Sequence, residues 1–185
     1  MTLIAIGLAL WALPHWFKRL APEMRAGIGD KAKGVVAVAT LAGLVLMVLG
    51  YRGSEFVPVY TPMPGMGHAN NTLMLISVFL FGVGGTKGVL YTRLRHPMLL
   101  GTVIWAVAHL LVNGDQASIL LFGGMGLWAL ISMGLINRAG AWVVPANGRG
   151  FKGDLMNVAG TLLLFGVIAM VHKWLGHPVF AGTYY

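Results

Sequence analysis

Cysteine is absent from all 185 residues of the chain. Disulfide bonds, iron–sulfur clusters, thiolate-ligated haem, the CxxCH attachment of c-type haem and cysteine nucleophiles are therefore excluded. These exclusions leave histidine as the main residue type through which the chain can hold a metal.

Charged residues are also scarce. Only 10% of the residues are charged and five are acidic, whereas 57% are hydrophobic and the mean hydropathy is +0.78. A soluble domain of this length needs a charged surface to stay dissolved, and this composition does not supply one. The chain is therefore predicted to be an integral membrane protein. No apolar segment contains a pair of carboxylates, which argues against acid–base hydrolysis inside the membrane.

Six apolar segments are each about long enough to form a transmembrane helix. The predicted spans are residues 2–17, 35–50, 71–90, 97–113, 116–136 and 155–175. The fourth and fifth spans are joined by so few residues that they must be antiparallel neighbours. The proline-rich segment 51–70 forms the longest loop. We therefore predict an all-α, polytopic bundle of about six transmembrane helices, forming a single domain over residues 1–185.

The basic residues indicate the orientation of this bundle. Eleven of the thirteen Lys and Arg residues fall on one side, and only Arg52 and Lys173 fall on the other. The eleven are Lys18, Arg19, Arg25, Lys31, Lys33, Lys87, Arg93, Arg95, Arg138, Arg149 and Lys152. Because basic residues concentrate in cytoplasmic loops, both termini are predicted to lie outside. The placement of the basic residues between apolar segments also argues that the net charge of +8 serves topology rather than nucleic-acid binding.

Ionisable side chains inside apolar segments are candidates for chemistry, because burying such a group in lipid without a partner is costly. His15 lies in the first predicted span, and His109 lies in the fourth, on one helical face with Thr102, Trp105 and Asn113. From the helical rise per residue, the depths of His15 and His109 in the bilayer differ by only about 8 Å. Two neutral imidazoles from separate helices can ligate the iron of haem b. The alternative interpretation is a histidine hydrogen-bonded to a neighbouring helix.

Three further side chains extend this set of candidates. His172 in the sixth predicted span and His177 just beyond it are reserve ligands. Arg95 precedes His96 and Pro97 at the start of the fourth span. It is either a basic anchor at the membrane surface or a contact for an anionic group, such as a haem propionate or a phosphate. The eleven methionines are interpreted as lipid-facing or core residues rather than as a copper site.

The most specific motif begins at the fourth predicted span. It comprises Arg95-His96-Pro97-Met98-Leu99-Leu100-Gly101, then Trp105-Ala106-Val107-Ala108-His109-Leu110-Leu111, and then Asn113-Gly114-Asp115. This pattern resembles the signature of the NnrU family, and the resemblance covers nearly the whole chain. It implies a multi-pass protein of the bacterial inner membrane that is associated with denitrification and nitric oxide metabolism.

The NnrU family is in turn similar to plant 15-cis-zeta-carotene isomerase, a haem b membrane enzyme. The histidines implicated as iron ligands in that enzyme fall on His15 and His109 of this chain. Ala106 stands where the isomerase has a cysteine, so a ligand exchange that uses that cysteine does not carry over. The resemblance thus leads us to expect haem b on His15 and His109, with Arg95 and Asn113 close to the cofactor.

Two alternative functions stay open at this point. One is a haem-dependent cis–trans isomerase of a polyene, and the other is a cofactor-free assembly partner of a membrane complex. The RHPxxxG element, from Arg95 to Gly101, also resembles isoprenylcysteine carboxyl methyltransferases. Those enzymes need a downstream segment with glutamate and tyrosine, for which this chain offers only Asp154 after Arg138.

Overall fold

The structure, a computed structural model, describes residues 1–146 and 148–180. Within these ranges the chain is helical and forms no β-strand, which confirms the predicted fold class. The helices are α1 (Thr2–Leu20), α2 (Pro22–Gly27), α3 (Lys31–Arg52), α4 (Met66–Thr86), α5 (Pro97–Leu110), α6 (Gln116–Ala139) and α7 (Gly150–Trp174). A 3₁₀ turn, Val89–Thr92, lies between α4 and α5, and α6 contains one π-helical turn, Ile119–Gly123.

Four helices in the described part of the chain, α3, α4, α6 and α7, are long and apolar enough to cross a membrane. Helix α5, with 14 residues, is shorter than the roughly 20 that a span needs. Helix α1 has 19 residues but ends in Lys18 and Arg19. The outward faces of α3 and α7 expose large apolar side chains such as Val38 (70%) and Leu163 (73%), as contact with lipid requires. The described part of the chain thus contains four candidate membrane-spanning helices, and the count of six spans stays a prediction.

Several helix boundaries differ from the sequence prediction, and two of these differences have a clear local cause. Helix α1 continues through Pro14 to Leu20, beyond the predicted end at residue 17. Membrane helices tolerate an internal proline, so Pro14 does not end the helix. Helix α4 begins at Met66 rather than at residue 71, because the chain turns into the helix at Gly65, whose φ of 83° favours glycine.

The six long helices pack as a row in the order α3, α1, α6, α5, α4, α7. Adjacent helices in the row are antiparallel except for α1 and α6. There Leu8 contacts Gly124, and the Trp16 indole donates to the Ser132 hydroxyl (2.9 Å), so the two helices run in the same direction. The long helices therefore alternate in direction along the sequence. The antiparallel α5–α6 pair confirms the predicted hairpin.

Small residues bring α1 and α3 into close contact at one end of the row. A Cβ atom added to Gly43 would lie 2.7 Å from the carbonyl oxygen of Gly7, and one added to Gly7 would lie 2.7 Å from that of Gly43. Such close backbone approach is typical of membrane helices, which lack a hydrophobic driving force between one another.

Amide and hydroxyl side chains join the helices at the other end of the row. Asn70 donates to the carbonyl oxygen of Ala108 (2.8 Å), and Ser77 donates to that of Gly101 (2.8 Å), so that α4 is bound to α5. Asn157 of α7 donates to the carbonyl oxygen of Phe79 in α4 (2.9 Å). These bonds fix α4 between α5 and α7.

Replacing Gly43 with alanine should destabilise the protein by about 1–3 kcal/mol, because the new methyl group meets backbone that cannot move away. The measurement is thermal unfolding of the purified protein in detergent. Gly34→Ala, on the same helix where the new Cβ meets no neighbouring element within 4 Å, is the matched control and should keep stability or raise it by up to about 1 kcal/mol, because alanine favours the helix. Equal melting temperatures for the two variants would contradict the close α1–α3 contact.

Candidate functional site

A cavity of about 230 Å³ lies among α4, α5, α6 and α7, and Tyr51 at the end of α3 lines its far side. Apolar side chains, including Met74, Phe122, Phe165 and Ile168, form much of its wall. Its polar lining consists of amide and imidazole groups beside the Tyr51 phenol: Asn70, Asn71, Asn113, His109, His172 and His177. The cavity therefore combines several nitrogen ligands with an apolar enclosure.

His109 is held firmly at the end of α5. Its Nδ1 lies 2.9 Å from the carbonyl oxygen of Trp105, and its ring stacks on Phe122 with centroids 4.5 Å apart and planes at 25°. Phe122 belongs to the π-helical turn of α6 and is 5% exposed. The Asn113 amide donates to the carbonyl oxygen of His109 (2.8 Å) and thereby closes the end of α5. The orientation of the imidazole is thus fixed on two sides.

His172 reaches the same cavity from α7 with the same backbone bond. Its Nδ1 lies 2.8 Å from the carbonyl oxygen of Ile168. A carbonyl oxygen can only accept, so Nδ1 of both His109 and His172 carries a proton, and in the neutral imidazole Nε2 is then the nitrogen with the lone pair. Metal-bound histidines show this arrangement, in which a backbone carbonyl fixes the tautomer.

His15 lies elsewhere in the bundle. Its exposed ring on α1 sits between Trp11 and Trp128, with centroids 5.0 and 5.2 Å away, and its Nδ1 donates to the carbonyl oxygen of Trp11 (2.6 Å). Helix α6 stands between α1 and α5, and His15 is not among the described residues that line the cavity. The structure therefore does not bring His15 and His109 to one cavity, and their shared ligation of haem stays a prediction.

Arg95 lies at the opposite end of α5 from His109, roughly 20 Å away along the helix. Its guanidinium donates to the carbonyl oxygens of Ile136 (3.1 Å) and Gly140 (2.6 Å), at the end of α6. A cation at a helix carboxyl terminus is favourable, because the carbonyl groups there have no partner in the helix. This position agrees with the interpretation of Arg95 as an anchor, and it does not bring Arg95 to the cavity.

A second cavity, of about 490 Å³, adjoins the first one and shares Tyr51, Val112, Asn113 and His177 with it. The connection between α3 and α4 forms its outer wall and is docked on the α5–α6 turn. The amides of Val59 and Tyr60 both donate to the carbonyl oxygen of Gly114 (2.8 and 3.0 Å). The Tyr60 hydroxyl donates to the carbonyl oxygens of Leu110 and Asn113.

Asp115 links the two cavities through a chain of hydrogen bonds. Its carboxylate is 7% exposed and accepts from the backbone amide (3.0 Å) and the hydroxyl (2.5 Å) of Ser118. The Ser118 proton is used in that bond, so the Tyr51 hydroxyl, 2.9 Å from the Ser118 oxygen, is the donor. Asp115 thus caps the start of α6 and faces the second cavity, while Tyr51 lines both cavities.

Sequence patterns did not indicate Tyr51, Asn70 or Asn71 as site residues. The available signal was the pair of adjacent asparagines, which the predicted start of the span at residue 71 placed at the membrane boundary. Because α4 begins five residues earlier, both asparagines lie inside the bundle. His172 and His177, named only as reserve ligands, both line the cavity.

Replacing Tyr60 with phenylalanine should loosen the α3–α4 connection, because the shared hydrogen bond of its hydroxyl to the carbonyl oxygens at the end of α5 is lost at a cost of about 0.5–1.5 kcal/mol. Hydrogen exchange at residues 56–67 should become faster. Tyr91→Phe is the control, since the Tyr91 hydroxyl makes no hydrogen bond to the described residues. Unchanged exchange in Tyr60→Phe would show that this anchor is not needed.

Comparison with known proteins identifies the family of the chain. No curated protein and no solved structure matches it. The family model described as "NnrU protein" matches residues 3–179, which include the residues that line both cavities. The resemblance seen in the sequence is thereby confirmed, and the chain belongs to the NnrU protein family.

Proposed function

We propose that this chain is a haem b-binding membrane protein that serves nitric oxide or nitrite metabolism, through electron transfer, sensing or assembly. Membership of the NnrU family suggests the link to nitric oxide reductase and denitrification. The observation that carries haem binding is the pair of imidazoles, His109 and His172, which reach one apolar cavity from two helices with Nε2 free on each.

The residues around the cavity fit haem chemically. Two neutral imidazoles suit its iron, and Met74, Phe122 and Phe165 suit the apolar macrocycle. The cavity alone is smaller than the roughly 300–1,000 Å³ of a usual ligand pocket. Haem would therefore have to extend beyond the cavity, with an apolar edge of the macrocycle between the helices or toward lipid. When bound, haem would supply a redox-active iron.

The proposal assigns His109 and His172 as the residues that would hold the iron. His109 is common to this pair and to the pair predicted from sequence, His15 and His109. We favour His172 as the partner because it lines the cavity that His109 lines, whereas His15 lies in the α1–α6 contact. The polyene isomerase alternative gains no support, since buried Ala106 packs against Gly126 of α6 rather than lining the cavity.

We also propose that all six long helices cross the inner membrane, with both termini in the periplasm. Their alternating direction supports an even number of crossings. Lys18 and Arg19 at the end of α1 and Arg95 at the start of α5 then lie on the cytoplasmic side, in accord with the positive-inside rule. Both cavities would face the periplasmic half of the bilayer.

The haem proposal predicts that the purified protein shows a Soret band and a low-spin, six-coordinate ferric spectrum. His109→Ala should abolish haem binding or leave a high-spin species. His172→Ala should leave high-spin, five-coordinate haem, and added imidazole should restore the low-spin spectrum. The measurements are haem content and electronic and electron paramagnetic resonance spectra.

His68→Ala is the matched control, because His68 is an exposed histidine at the start of α4 that lines neither cavity. High-spin haem in His15→Ala together with a normal spectrum in His172→Ala would favour the pair predicted from sequence. A wild-type protein that stays colourless after haem is supplied would refute haem binding and favour the cofactor-free assembly partner.

Alkaline phosphatase fusions test the topology, because this enzyme is active only in the periplasm. A fusion after Tyr185, which lies outside the described residues, should be active. A fusion after Gly140, at the end of α6, should be inactive. The opposite pattern in stably expressed fusions would reverse the orientation, and activity in both would contradict the crossing of α7.

A further inference from the structure

We infer that the second cavity is a binding site for a soft monovalent metal ion, Cu(I), with the thioethers of Met63 and Met66 and the imidazole of His177 as ligands. All three side chains line the same space of about 490 Å³. This site is separate from the proposed haem ligands, and neither His109 nor His172 takes part in it.

The ligand types decide which metal suits the site. Cu(I) is favoured by soft sulfur ligands and accepts imidazole, whereas Mg²⁺ and Ca²⁺ prefer oxygen ligands. Because the chain has no cysteine, methionine is its only source of soft sulfur. Two methionines and one histidine therefore select Cu(I) over the hard divalent cations.

The two methionines are fixed in one turn. The amide of Met66 donates to the carbonyl oxygen of Met63 (3.3 Å), Gly65 takes a φ of 83°, and Pro64 restricts the backbone between them. Met63 is 66% exposed and lies in the connection before α4. It therefore differs from the interpretation of the methionines as lipid-facing or core residues. The backbone turn thus keeps the two methionines at one edge of the cavity.

The segment that carries His177 is bound to α4, the helix that follows the methionine turn. The amide of His177 donates to the carbonyl oxygen of His172 (2.8 Å) just beyond the end of α7. The Asn71 amide donates to the carbonyl oxygen of Val179 (2.7 Å) and ties this segment to α4, the helix that begins at Met66. The two halves of the site are therefore held in a fixed relation.

The charge of the cavity also favours a cation. Asp115, 7% exposed, contributes a carboxylate, and no Lys or Arg is among the described lining residues. The ion pair in the described part of the chain, Lys33 with Asp30, lies elsewhere. A monovalent cation in the cavity would meet a negative charge that no basic side chain neutralises.

The test is competition for Cu(I) between the purified protein and a chromophoric Cu(I) chelator, under reducing conditions. The wild type should bind one Cu(I), and X-ray absorption should show sulfur neighbours. The double variant Met63→Leu/Met66→Leu should weaken Cu(I) binding by more than about tenfold and lose the sulfur signal. Loss of a group that only supports a metal ligand already lowers metal affinity by about tenfold, and loss of the ligand itself should lower it further. His177→Asn should weaken binding to a similar extent.

Two controls keep the assignment specific. Met98→Leu/Met170→Leu replaces two exposed methionines on α5 and α7, and His68→Asn replaces the histidine nearest in sequence to the turn. Both control variants should bind Cu(I) as the wild type does. In the methionine variants, leucine keeps the size and apolar character of the side chain. Haem content, measured in parallel, reports the proposed function separately.

Three results would overturn the copper site. These are a wild type that does not compete for Cu(I), a Met63/Met66 double variant that binds as the wild type does, and a loss of binding in His68→Asn but not in His177→Asn. Each result can be read whether or not the protein carries haem.

Discussion

A polar group inside a lipid bilayer has no water to bond with, so it must find its partner within the protein. In this chain the partner is often a backbone carbonyl of the next helix. Asn70 and Ser77 of α4 bond to α5, and Asn157 of α7 bonds to α4. Each bond forms only at one axial position of the two helices. The shape of the cavity between these helices therefore follows from a few side-chain amides and hydroxyls rather than from the apolar contacts, which would tolerate sliding.

The same requirement sets the chemistry of the histidines. His15, His109 and His172 each satisfy one ring nitrogen with the carbonyl oxygen four residues earlier on their own helix. The choice of tautomer is then made by the helix before any ligand arrives. This leaves the second nitrogen of each ring available to bind a ligand. Any membrane helix with a neutral histidine in this conformation offers a ligand whose tautomer is already fixed.

Composition and spacing were enough to predict the helical class and the α5–α6 hairpin, and they singled out His109, which lines the first cavity. They did not predict which helices are neighbours. The estimate of similar depth for His15 and His109 concerned only one coordinate, along the membrane normal. The lateral position of α1 depends on its contacts with Gly43 of α3 and Gly124 of α6, far away in sequence. Similarly, the start of α4 at Met66 depends on one left-handed glycine, and this start decides whether Asn70 faces a loop or the cavity.

The order of the row differs from the order of the sequence, and this has a consequence for biosynthesis. Helix α1 leaves the ribosome well before its partner α6. Helix α7, which follows α1 to α6 in the sequence, carries His172 and one wall of the cavity. Because translation proceeds from the amino terminus, the cavity is incomplete until α7 has been made. An occupant that contacts His172 can therefore be enclosed only after α7 has been made.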